Sequence, residues 1–265
     1  MKIRNKLILP FVVSAILFPA LSHAAEPSPA SSLPPAPLQA SSLSPAPLSV
    51  NEKARFDHAL GLYMQGSFEP ASEEFRGYLR DFPEGEHADD SLYWLGKYRE
   101  MAGPFDEAAI MLRRAINDFP TSDIAASIQF ELGYCMYSPK NPGRDLMKAF
   151  AEFMKVPSLY QGDTVVPQAL YYAAMCQMEL NEFMKAKEIF TKIAAKFPDS
   201  PYAAPALYNL GRISISEGNT VEAKASFKAL ITRYPAGLYS NEAARAVASI
   251  ENAAGEKGLA AVTLK

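Results

Sequence analysis

The sequence predicts an all-α fold: a right-handed α-solenoid of about five helix pairs, closed by a C-terminal capping helix. Three observations carry this. A small residue is followed twelve positions later by an alanine at Ala59/Ala71, Gly96/Ala108, Ala174/Ala186 and Gly211/Ala223, and sixteen later at Gly133/Ala149. The next small residue always stands 25 further on, so a 37-residue period runs through the chain, as expected of stacked supersecondary units. Finally, Phe75, Leu112, Phe153, Phe190 and Phe227 lie four residues after the five alanines, one helical turn along the same face.

Residues 1–24 read as a secretory signal, with Lys2, Arg4 and Lys6 ahead of an apolar run from Leu7 to Phe18 and a Ser22-His23-Ala24 cleavage site. That run is shorter than the ~20 residues a membrane-spanning helix needs. No cysteine stands near it, so no lipid anchor is expected. Residues 25–50 read as a disordered linker rich in Pro, Ala and Ser, in which Ser31–Leu38 is echoed by Ser41–Leu48. Seven prolines and one charge cannot build a core, and a polyproline-like spacer reaching on the order of 75 Å is expected.

The solenoid is expected over 51–255, in units of about 51–84, 88–121, 124–160, 163–199 and 200–236, with a cap over 239–255 and a flexible tail over 256–265. Gly66, Gly103, Asn181 and Gly218 mark the turn inside a pair, and Pro83, Pro120, Pro198 and Pro235 close it. Ser200 is placed to cap a helix with Pro201 at its first position. The third unit departs: Ser138–Arg144 inserts about four residues in its inner turn, and Pro157 is expected to stop its second helix a turn early. That insertion reads either as loop drift or as a docking loop. The cap is amphipathic through Ala244, Val247 and Ile250.

Loss of Lys2, Arg4 and Lys6 with the signal leaves 23 basic against 29 acidic residues, a net −6. With no basic stripe, nucleic acid is not an expected partner. His58 and His87 are the only histidines after the signal, and no metal-ligand spacing, phosphate loop or nucleophile motif is present. No catalytic residue, metal or cofactor is therefore expected. Cys135 and Cys176 occupy equivalent places in adjacent units, where helices ~8–10 Å apart hold them beyond disulfide reach; buried free thiols are expected, a bridge in the irregular third unit being the rival.

The Trp94-Leu95-Gly96 and Ala…Phe…Ala…Pro phrasing resembles the tetratricopeptide repeat. Three extra residues per unit and the phrase Phe197-Pro-Asp-Ser…Ala206-Leu-Tyr-Asn-Leu-Gly211 look like its bacterial-envelope subfamily. That group includes the lipoprotein of the outer-membrane β-barrel assembly machinery and the Tol–Pal-associated cell-division coordinator. The resemblance implies a non-catalytic periplasmic adaptor that holds a segment of another envelope protein in a concave groove, in outer-membrane assembly or Tol–Pal-linked division. It leaves room for contact with membrane machinery through such a partner. The coordinator's trimerising coiled coil is not expected, since no heptads appear.

In the family the groove is lined by the first helix of each pair, three before, one after and four to five after the small residue. Carried over, these positions are Phe56, Tyr93, Phe130, Tyr171 and Tyr208; then Leu60, Lys97, Tyr134, Met175 and Arg212. The last set is Tyr63/Met64, Glu100/Met101, Tyr137/Ser138, Met178/Glu179 and Ile215/Ser216. Aromatic rings with polar tips suit an interface, and methionines repack around varied ligands. The competing reading is that the aromatic row wedges between helices. Alternative functions are a glycan-binding module gripping peptidoglycan and a homo-oligomerisation module.

Overall fold

The computed structural model describes residues 51–263, with side chains described for 51–254. The expected signal peptide and linker lie outside the described residues. Eleven α-helices and no strand occur among those described. Five pairs run α1 Glu52–Met64 with α2 Phe68–Asp81, α3 Ala88–Ala102 with α4 Phe105–Asp118, α5 Ala125–Tyr137 with α6 Leu146–Leu159, α7 Val166–Glu179 with α8 Phe183–Lys196, and α9 Ala203–Ser216 with α10 Thr220–Arg233. The last helix is α11, Leu238–Thr263. Each helix packs on the next in sequence, and α3 with α5, α5 with α7, and α9 with α11 also touch.

The small residue of each first helix faces the large apolar residue of its partner. A Cβ added at Gly96 would lie 2.8 Å from Leu112, at Gly133 2.7 Å from Phe153, and at Gly211 2.5 Å from Phe227. The closest neighbour is thus the large side chain one turn beyond the alanine of the second helix. Those five alanines are wholly buried, as are Leu112, Phe153 and Phe190, with Phe75 and Phe227 at 1% exposure. Burying each such large side chain is worth about 1.5–3 kcal/mol, so this row holds the pairs together.

Pair-to-pair connections repeat one backbone pattern. Each second helix ends on an aromatic C-cap, namely Phe82, Phe119, Tyr160, Phe197 and Tyr234, whose N–H closes the last turn. In the first four, two successive turns follow, as in Ser200 N–H to the Phe197 carbonyl at 3.0 Å and Ala203 N–H to the Ser200 carbonyl at 3.0 Å. Ser122, Asp163 and Ser200 each accept a side-chain hydrogen bond from the N–H two residues on. Ser200 therefore caps this turn, and α9 itself begins at Ala203. Within pairs, positive φ falls at Gly66, Gly103, Asn181 and Gly218, the positions expected.

Three sequence expectations are corrected. Pro157 lies inside α6, which runs to Leu159 and keeps the fourteen-residue length of the other second helices. The proline forgoes one backbone bond, while buried Val156 and the packing of Tyr160 hold the last turn. The cap buries Ala243 and Val247, with Ile250 packed alongside, and leaves Ala244 exposed. Its helix continues to Thr263 through the expected tail, a stretch rich in alanine and free of proline. α11 repeats the register of α9: Tyr239 corresponds to Tyr202, Val247 to Leu210 and Ala248 to Gly211. It is a first helix with no second helix after it among the described residues, and its exposed side mixes Arg245, Ser249 and Asn252 with the small Ala248 and Ala253. The absence of large apolar side chains there suits the terminal helix of an array.

The third unit's insertion is an ordered cap. With no left-handed residue after α5, three carbonyls at its end need donors. Asn141 Nδ2 donates to the Cys135 carbonyl at 2.8 Å, Asp145 N–H to Met136 at 3.0 Å, and Arg144 Nε to Tyr137 at 2.6 Å. Arg144 also pairs with Glu179 at the end of α7, 2.7 Å away, and its guanidinium stacks 5.0 Å from the Tyr137 ring centroid. The insertion thus ties the third unit to the fourth.

Candidate functional site

Side chains three before the small residue divide between two fates. Phe56 and Phe130 are 6% and 4% exposed, and Tyr137, four after its glycine, is 9% exposed. These three sit in the core, so they are removed from the candidate groove surface. Tyr93, Tyr171 and Tyr208 are half-buried. The row also wedges, as the competing reading holds: Phe56 with Phe75, Phe130 with Phe153, Tyr171 with Phe190 and Tyr208 with Phe227 have ring centroids 5.4–5.9 Å apart. Three of the rings then reach the start of the next first helix, while Phe130 meets Tyr172 within α7. Phe56 stacks on His87 at 4.3 Å, while Tyr171 meets Tyr202 and Tyr208 meets Tyr239 at 5.5 Å. The half-buried tyrosines therefore have one face in the packing and an edge on the helix-A surface.

The residues one and four to five after the small residue remain accessible, except Tyr137 and Ser138 of unit three, which are buried. Tyr63, Lys97, Tyr134, Met175 and Met178 are half-buried, while Met101 and Arg212 are exposed. A second row, two before the small residue, completes the floor: Trp94, Glu131, Tyr172 and Asn209. Each packs on the preceding unit. Tyr63 and Trp94 have centroids 4.7 Å apart, and Tyr172 meets Tyr134 at 5.5 Å and Tyr137 at 5.3 Å. Asn209 accepts from Arg212 at 3.3 Å and hydrogen-bonds Tyr171. Sequence reasoning missed this row. The 37-residue period marks it, but its members share no chemistry.

Two ion-paired clusters bear on the candidate site. Lys97 Nζ lies 2.9 Å from Glu131 and 3.2 Å from Glu100, an ion triad between units two and three. Burial opposes the Lys97 charge, but Glu131 and Glu100 outweigh it and hold the ammonium above its ordinary range. Burial raises the Glu100 carboxyl, with Glu131 adding to the rise and Lys97 opposing it. The other is the Arg144–Glu179 pair, whose carboxylate also accepts from the Tyr137 hydroxyl at 3.1 Å. Burial, then Glu179, pushes that phenol up.

Cys135 and Cys176 are free and buried. Burial pushes the Cys176 thiol up to about 12, and Cys135 rises for the same cause. Among the described residues no group of three His, Cys, Asp or Glu is placed to hold a metal. No described helix is long and apolar enough to cross a membrane.

Comparison with known proteins agrees with this architecture. The tetratricopeptide repeat family profile matches residues 90–122, 168–200 and 205–236. A tetratricopeptide repeat protein from Parabacteroides merdae has a similar fold, with a TM-score of 0.58 at 18% identity, covering 80% of this chain and 76% of that one. YrrB, described as a TPR protein with an unusual peptide-binding site, aligns with a TM-score of 0.53 at 18% identity over 72% of this chain and 90% of its own. The cell division coordinator CpoB of Pseudomonas putida is 38% identical over 48 residues, and that match spans only 18% of either chain. Three stretches of the chain thus match the tetratricopeptide repeat profile, and the described solenoid shares its fold with proteins built of that repeat.

Proposed function

We propose that the chain is a non-catalytic adaptor that holds an extended or helical segment of another protein along its helix-A face. One observation carries the reading: successive first helices present half-buried tyrosine, tryptophan and methionine side chains, with rings paired across the junctions of units one and two, three and four, and four and five, and the Lys97–Glu131 ion pair between units two and three. Such surfaces combine apolar area with polar tips, the composition of protein interfaces. Tetratricopeptide repeats commonly serve this role, and YrrB is a TPR protein with an unusual peptide-binding site. Glycan binding is less well supported, because the hydroxyls of Tyr137, Tyr171 and Tyr208 already bond to Glu179, to Asn209 and Tyr239, and to Glu242.

The setting we infer is the periplasm, in envelope maintenance or division. Its support is the basic-apolar N-terminus ending in Ser22-His23-Ala24 and the partial likeness to CpoB. The partner is then another envelope protein.

The test replaces accessible groove residues. Met101→Glu, Met175→Glu and Arg212→Glu together should abolish partner recovery from cross-linked envelope extracts. Ile110→Glu and Val221→Glu, exposed on second helices at 60% and 80%, should leave it intact. Equal recovery from both sets would overturn the groove assignment.

A further inference from the structure

The groove floor changes chemistry once, between units two and three. Two carboxylates share a single ammonium there: Glu131 and Glu100, 4% and 14% exposed in their side chains, both contact Lys97. The other acidic side chain on this face near the middle of the array, Glu179, has its own guanidinium in Arg144. Lys140, exposed on the inserted loop, is near enough for its charge to reach Glu100, yet it forms no ion pair among the described residues. Aromatic walls stand on both sides. Trp94 packs against Tyr63 at 4.7 Å and Tyr93 at 5.2 Å, and Tyr134 lies toward unit four. Met101, which follows Glu100 in α3, is 53% exposed.

Lys97 is already committed to two acids, so an incoming anion would meet a net negative floor. An incoming cation would balance the second carboxylate and face aromatic rings, whose π-faces attract ammonium and guanidinium groups. We propose that the groove's occupant is a peptide segment that seats a lysine or arginine over Glu100 and Glu131, with apolar residues on either side of it. This rests on the helix-A-face reading and adds the partner's chemistry to it.

A phage-displayed library of random 12-residue peptides, selected against the chain from residue 25 onward, provides the probe. Selected sequences should share a lysine or arginine within an apolar or aromatic context. A synthetic peptide from the selection should bind about tenfold more weakly when that residue is replaced by norleucine, the effect of a single desolvated cation contact. The isosteric Glu100→Gln/Glu131→Gln variant, and Glu100→Gln alone as the milder change, should still select apolar peptides but lose the basic residue, with unchanged circular dichroism. Peptides selected without a basic residue, or a basic preference that survives the double variant, would overturn this inference and leave the groove reading standing. Failure to select any peptide would overturn both.

Discussion

Gly211 lies directly beneath the ring of Phe227. A Cβ at that position would sit 2.5 Å from both Cε1 and Cζ, closer than packed carbon atoms approach. The fourth unit shows the tolerated alternative, with Ala174 and Phe190 both fully buried. Gly211→Ala should therefore lower stability by a net ~1 kcal/mol, overpacking of about 1–3 kcal/mol being partly offset by the better helix propensity of alanine. Phe227→Leu, which copies the leucine of unit two, costs stability alone. The double variant should lose less than the sum of the two in denaturant titrations, because the smaller, more flexible side chain eases the clash, as the longer 2.8 Å approach of Leu112 to a Cβ at Gly96 indicates.

Arg144 makes the inserted loop part of the scaffold. Arg144→Ala leaves the Tyr137 carbonyl without its donor and Glu179 without its cation. The pair is partly exposed, at 26% and 34%, so its charge term is small and the lost carbonyl bond dominates. A loss of about 1–2 kcal/mol is expected, with faster amide exchange confined to the last turn of α5 and the end of α7. Uniform acceleration across all units would refute this local role.

The thiols provide a packing test. With Cys176 raised to about 12 by burial, neither cysteine should react with a disulfide reagent at pH 8 in the folded protein. Two thiols should appear on unfolding without reductant. Because the folded value lies above the ordinary 9.0, the unfolded state releases its proton first, and stability should fall as pH rises from about 9 toward 12. Absence of titratable thiol after unfolding would reveal a disulfide and contradict the structure.

Glu100 has the same sign at lower pH. Its folded carboxyl is raised above 4.5 by burial and by Glu131, so the folded state holds the proton longer than the unfolded state. Stability contributed by this group is highest below pH 4.5 and falls as pH rises through the folded value. Glu100→Gln mimics the protonated form. Its stability relative to the parent should be near unchanged at pH 4 and higher at pH 7 in urea titrations.

Much of this was legible because a period magnifies weak signals. Gly66, Gly103, Asn181 and Gly218 are ordinary turn residues singly, yet at fixed offsets from a buried alanine they locate every inner turn. The residue types of the aromatic row carried information too: phenylalanines 56 and 130 are buried, while tyrosines 93, 171 and 208 keep an edge at the surface. Where tertiary packing outweighs local propensity, the sequence misled. Pro157 is a helix breaker by local rules, but Val156 and Tyr160 anchor the turn around it. The row of Trp94, Glu131, Tyr172 and Asn209 stayed hidden because its positions are set by the stacking of one unit on the next, which only the fold reveals.

The helix-A face as the binding surface is tested most directly by photo-crosslinking. A photoreactive residue at Tyr171 in living cells should give a discrete adduct with another envelope protein, and the same residue at Ile110 on a second helix should give none. Adducts of equal yield from both positions, or only self-adducts from Tyr171, would contradict the account.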